Sequence, residues 1–368
     1  MPHNSPDTLP LSKSLLNWLV VVVLVFWTCS AYAQKALWEE HSQAGREALD
    51  IGDFASAREH ILAAIKAAKV LGPEDPRLGV SFNDLAQVSQ ALGDYKDAEK
   101  LLEESLSILT RRLGSRDPWT ITTLNNLASL YAEIGRYSDA ALLYQQVIKV
   151  TTDSLGLQHP NLGIYLNALA EIYKWQGRLE EAEAIYKEAL SILEATLGPK
   201  HLRVAVVRSN IAALYRDQGQ LDEARSAYED ALKIASDSVG HGHPFIAAIY
   251  NGMGVINRKE GNYGAAEERH KEALEILDAS VGPDHPHVAT VMLDLGLLYV
   301  TRKDYPLAEE SYRRALDIRD RNLAANHPKI AEVLDAYAEL LRSLDRTSEA
   351  VELELRSENI RYTNRNAE

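Results

Sequence analysis

One spacing constrains this chain more than any other feature. Proline stands at 76, 118, 160, 244, 286 and 328, a series of forty-two-residue steps whose single gap is filled by Leu202. A period of this size, held without insertion, marks a stack of like units, each completed by burying its apolar face against its neighbours. Seventeen residues after each anchor stands Gly93, Gly135, Gly177, Gly219 or Gly261, with Lys303 and Asp345 in the last two units. Glycine turns left-handed at low cost after a helix, so the position predicts a helix end. Between anchor and glycine, Leu124, Leu127, Ala128 and Tyr131 recur at helical spacing and define one face of a helix of about sixteen residues. A second such stretch follows, and units close with Leu-Gly or Val-Gly at 113, 155, 197, 239 and 281. Proline is tolerated at the start because the first N–H of a helix has no partner to lose. Each unit is therefore expected to be a helical hairpin, and the array all-α.

The order of residue sizes within the hairpin is specific. Leu169, Ala170, Tyr173, Ala182, Tyr186 and Ala189 recur one period later as Ile211, Ala212, Tyr215, Ala224, Tyr228 and Ala231. Small residues let two backbones approach while the aromatics fill the space beside them. These spacings resemble the tetratricopeptide repeat, whose usual unit is about 34 residues. The eight additional residues fall after the last small position, in a longer second helix and its exit loop. With its LNNLA phrase and the His-Pro before the first helix, the pattern is similar to the repeats of kinesin light chains and their bacterial relatives over residues 35–361. The resemblance implies a right-handed superhelix of about eight hairpins: a degenerate first hairpin at 35–75, regular repeats over 76–327 and a C-terminal capping hairpin at 328–361, then a polar tail at 362–368. The first turn, Gly52-Asp53-Phe54, is one residue out of register, and Glu352, Glu354, Glu358 and Arg361 make the last helix polar on its outer side, as an uncovered end requires.

The N-terminus is a different object. An apolar run, Leu15 to Trp27, follows Lys13 and precedes Ala31-Tyr32-Ala33, a small-x-small site of the kind signal peptidase accepts. Residues 1–33 are read as a signal peptide cut before Gln34, which places the array in the periplasm or outside the cell. The alternative is an uncleaved anchor, since Leu15 to Ala33 could cross a thin bilayer. Cys29 as an acylated residue fits poorly, because Phe26-Trp27-Thr28 offers no small residue before it.

Charge and composition narrow the function. The net charge of −14 opposes nucleic acid and anionic lipid, so membrane contact is expected only through a retained anchor. One cysteine leaves no disulfide framework and no thiolate cluster. No P-loop, G-x-S-x-G, H-E-x-x-H or G-x-G-x-x-G is present, and no cofactor is expected. His159, His201, His243, His285 and His327 recur with the period just before the anchor and belong to the helix entrance. His241 with His243, and His285 with His287, have a metal-compatible spacing but lack further ligands.

A binding surface remains. The resemblance places the first helices on the concave wall and implies that Asn83, Asn125, Asn167 and Asn251, seven residues after their anchors, grip the backbone of an extended peptide; the competing reading is that each bonds only to the next repeat. Fourteen residues after the anchors stand Lys174, Arg216 and Arg258 in three consecutive repeats, with Arg342 in the last, a local inversion of the protein's charge that Glu133, Glu171 and Asp217 would partly offset. Trp175 adds an aromatic anchor of the kind found at interfaces, or packs on a neighbouring repeat. The expectation is a non-enzymatic scaffold that holds a protein or peptide partner, through an extended or acidic segment, in its groove. The alternative is an accessory subunit of an envelope enzyme or sensor.

Overall fold

A computed structural model describes the backbone of residues 13–50, 53–323 and 325–365, and the side chains of 31–49, 53–323 and 325–363. Among them are sixteen helices and no strand. The first hairpin is α1 (Lys13–Asp50) and α2 (Phe54–Leu71); then come α3 (Pro76–Ala91) and α4 (Tyr95–Leu113), α5 (Pro118–Glu133) and α6 (Tyr137–Leu155), α7 (Pro160–Trp175) and α8 (Leu179–Leu197). The series continues with α9 (Leu202–Asp217) and α10 (Leu221–Val239), α11 (Pro244–Lys259) and α12 (Tyr263–Ser280), α13 (Pro286–Thr301) and α14 (Tyr305–Asn322), α15 (Pro328–Ser343) and α16 (Thr347–Arg365). Every anchor of the period is the first residue of its helix. The first helix of each regular unit is 16 residues long.

The entrances are built the same way throughout. Asp75 and Asp117 accept a hydrogen bond from the backbone N–H two residues on, at 2.9 Å in both cases. From the third regular unit onward a histidine takes over: His159, His201, His243, His285 and His327 accept the equivalent bond through Nδ1 at 3.0 to 3.2 Å. The Nδ1 lone pair that accepts this bond is how histidine does the capping work of aspartate. The exits need a left-handed residue. Gly177 has φ +75°, and Lys303 and Asp345, at the same place in later units, are held at φ 62° and 61°.

Small residues set the approach between helices. Ala86, Ala128, Ala170 and Ala212 on the first helices are fully buried, as are Ala98, Ala140, Ala182 and Ala224 on the second. Each hairpin also packs on the next, so the apolar core runs as linked clusters along the array. Most successive odd-numbered helices touch one another, from α1 with α3 to α13 with α15, whereas no two successive even-numbered helices do so to a comparable extent. The odd-numbered helices therefore line the tighter, concave side.

The two ends depart from the regular units. α1 passes without a break through Ala33 and Gln34. Among the described residues no helix is long and apolar enough to cross a membrane, and the apolar run from Leu15 to Trp27 lies outside the side chains described. At the other end the helix continues to Arg365, so the segment expected as a polar tail begins inside α16. Its outer side is less polar than expected: Val351, Leu355 and Tyr362 are exposed beside Glu352 and Glu358.

The curl of the array also brings distant units together. The ring of Tyr95, at the start of α4, lies 5.9 Å from that of His327, at the entrance of α15. A side-chain carbon on Gly135 would come within 3.2 Å of Pro328.

Candidate functional site on the concave wall

The asparagines of the first helices form an inter-repeat ladder. Asn126 donates to Asn83 at 2.9 Å, Asn210 to Asn167 at 3.0 Å, and Asn251 to Asp294 at 2.7 Å. In each pair the seventh position after one anchor meets the eighth position after the next. The ladder alternates, because the eighth position reads Asp84, Asn126, Ala168, Asn210, Gly252, Asp294 and Ala336, so a polar partner is present at every second junction from Asn126 on. Asn125, facing a junction without one, turns its amide to Asn126 at 3.4 Å. The alternation is written in the sequence, where only the seventh position was singled out, and the partners depend on how one repeat is offset from the next.

At the fifth regular unit the ladder continues inward. Asn251 Oδ1 lies 2.8 Å from Nδ1 of His270, a residue standing where Tyr186, Tyr228 and Tyr312 stand in other units. The imidazole is fully buried, its Nε2 has no hydrogen-bond partner, and burial and the nearby Arg258 push its pKa down to about 4. Gly254 makes the room: a side-chain carbon there would sit 2.7 Å from the ring, as one on Gly296 would sit 2.3 Å from Tyr312.

Lys174, Arg216 and Arg258 occupy the last turns of α7, α9 and α11 and form a continuous electrostatic neighbourhood. Each has an acid nearby. Arg216 pairs with Asp217 at 2.8 Å. Burial pulls the Lys174 pKa down while Glu171 and Asp217 oppose the shift. Asp294 lies under the fields of Arg216, Arg258 and Arg319, yet burial dominates and raises its carboxyl pKa. Glu171 behaves likewise, raised by burial against the pull of Lys174 and Lys329. The Nε of Arg258 is buried without a partner. Arg342 is placed differently: its guanidinium makes two 2.5 Å bonds to Glu354 of α16 and is exposed. Trp175 remains 45% exposed while its ring lies 5.4 Å from that of Tyr137, on the preceding repeat. Among the described residues no group of three or more side chains could hold a metal ion.

The sequence matches a family of such helical hairpins. The tetratricopeptide repeat profile matches residues 47–111, 82–153, 161–237, 245–321 and 302–363, and the chain belongs to that family. Among solved structures, it is similar to a tetratricopeptide repeat protein from Parabacteroides merdae, with 20% identity over 82% of this chain and 99% of that one and a TM-score of 0.54. It is also similar to the apo quorum sensor NprR from B. thuringiensis, with 14% identity over 88% and 87% of the two chains and a TM-score of 0.61. BtubC (BKLC) from P. vanneervenii shares 25% identity over 68% of this chain and 93% of that one, with a TM-score of 0.48. No curated protein matches the chain.

Proposed function

We propose that this chain is a non-enzymatic scaffold outside the cytoplasm that holds an extended, acidic segment of another protein against its concave wall. The observation that carries the reading is the row of Lys174, Arg216 and Arg258 on three successive inner helices of a protein whose net charge is −14. The acids beside the row keep it partly neutral at rest, so a partner carboxylate competes with Asp217 and Glu171 instead of meeting bare charge. Asn83 and Asn251, expected to grip a peptide, are instead buried with both amide ends engaged, Asn83 by Asn126 and Asp84 and Asn251 by Asp294 and His270, so in the ladder only Asn167 keeps an amide end for a peptide backbone. Residues 1–33 supply the export signal, or the anchor, in this reading.

The test is pull-down from the native envelope followed by titration of the recovered partner. Arg216→Gln with Arg258→Gln is preferred to charge reversal, which would set a new carboxylate beside Asp217 and Asp294. A charge-assisted hydrogen bond is worth roughly 1.5 to 3 kcal/mol, less in a wet groove, so the pair should weaken binding tenfold or more. Lys187→Gln is the control, because Lys187 is 61% exposed on α8 and holds only Glu183 of its own helix. Equal affinity for the two variants would refute the groove assignment.

A further inference from the structure

In a solenoid each repeat contacts its neighbours, and units six places apart are normally out of reach. Here they meet. The corner His327-Pro328-Lys329, at the entrance of α15, stands against the exits of α3 and α5 and over the inner wall of α7. Tyr95 and His327 are in ring contact, and Pro328 fits the space left by the missing side chain of Gly135. Lys329 favours the charged form of Glu171, and Glu332 acts on Tyr137, so the two sides of the seam share one electrostatic environment.

The seam is closed but thinly made. A cavity of about 450 Å³ lies on one side of the corner, between Tyr95, Glu133, Arg319 and Lys329, and one of about 360 Å³ on the other, between Glu171, Trp175, Pro328 and Glu332. Empty space on both sides means that few dispersion contacts resist separation. Lys329 and Glu332 are exposed, so their attractions are screened by water and salt. Among the described residues no helix of one end packs along a helix of the other; they meet at their tips, through Tyr95 with His327 and Gly135 with Pro328. The helices between them form an elastic link, in which a small rotation at each junction adds up to a large displacement at the ends.

We propose that the His327-Pro328-Lys329 corner is a latch: it closes the superhelix on itself, covers the part of the concave wall at Glu171 while leaving Trp175 half-exposed at its edge, and opens to admit a partner. The latch is a property of the chain alone, so its failure and that of the groove assignment are separable.

The experiment places spin labels on Leu92→Cys and Ala325→Cys, both exposed and on opposite sides of the seam, in the full chain carrying Cys29→Ser, and reads their distance distribution by pulsed electron paramagnetic resonance. A narrow, short distance is expected at low salt. About 1 M salt, or Lys329→Glu, which sets like charge beside Glu133 and Glu171, should shift it outward by on the order of 10 Å and broaden it. The salt arm involves no change to the corner and so does not depend on a variant's folding. Opening in either arm supports the latch; a distribution that stays short and narrow in both, or that is already broad at low salt, overturns it.

Discussion

At the scale of single residues, two kinds of position depart from the repeat, and each carries a measurable consequence. His270 and His327 are both buried, and burial with nearby cations pushes each pKa from 6.5 down to about 4. Both are therefore neutral in the folded chain at pH values where the unfolded chain has already protonated them. Their contribution is fully present above pH 6.5 and is lost as the pH falls toward 4, by up to about 3 kcal/mol for each. Urea unfolding between pH 6.5 and 5 should show this decline. His270→Tyr, a residue for which Gly254 provides the room that Gly296 gives Tyr312, should remove about 1.4 kcal/mol per pH unit from the slope. An unchanged slope would mean that His270 is solvated or already protonated. The other departures are Lys303 and Asp345, held in the left-handed region where the remaining units use glycine. Lys303→Gly and Asp345→Gly should each stabilise the fold by about 0.5 to 1 kcal/mol in the same assay. Destabilisation would show that their side chains matter more than their backbone angles.

At the scale of helices, what the sequence made legible was whatever depends on local chemistry. Pro160 predicts a helix start because of its fixed φ, Gly177 predicts a stop, and Ala170 with Tyr173 marks the buried face; all three readings match the structure. The histidine before each of the last five anchors was recognisable as part of the entrance, although its Nδ1 bond required knowing where the ring turns. Less could be read where two units meet. Asn83 and Asn125 look alike in the sequence, but only Asn83 finds Asn126 across a junction. Arg342 matches Arg258 by position, yet the last hairpin turns it onto Glu354. Such partners are set by the offset between repeats, which no single helix encodes. The caps allow a direct test. His159→Ala should cost about 1 kcal/mol of stability, while His159→Asp should cost almost nothing, because Asp75 and Asp117 already fill this place. If the aspartate variant loses as much as the alanine one, the ring contributes packing and not a cap.

At the scale of the whole chain, stacking and closure make different demands, and one deletion separates them. Each junction repeats the same contacts, so removing one full period, residues 161–202, joins Pro160 to Arg203 with the helical phase intact. The shortened array should fold, lose the helix signal of one hairpin and unfold cooperatively, since nearest-neighbour junctions supply its stability. Removing half a period instead would leave a helix whose apolar face has no partner, and that protein should aggregate. The seam responds otherwise. It depends on the summed rotation of every unit between Tyr95 and His327, and one missing unit carries the corner past Gly135 and Glu133. The full-period deletion should therefore be folded yet more open, with a radius of gyration in solution scattering no smaller than that of the intact chain despite its lower mass. A folded deletion that shrinks in proportion to its length would show that the array was never held closed. One that fails to fold would show that the ends of the superhelix stabilise the repeats between them, and that the chain behaves as a closed body with less of the independence stacked units usually have.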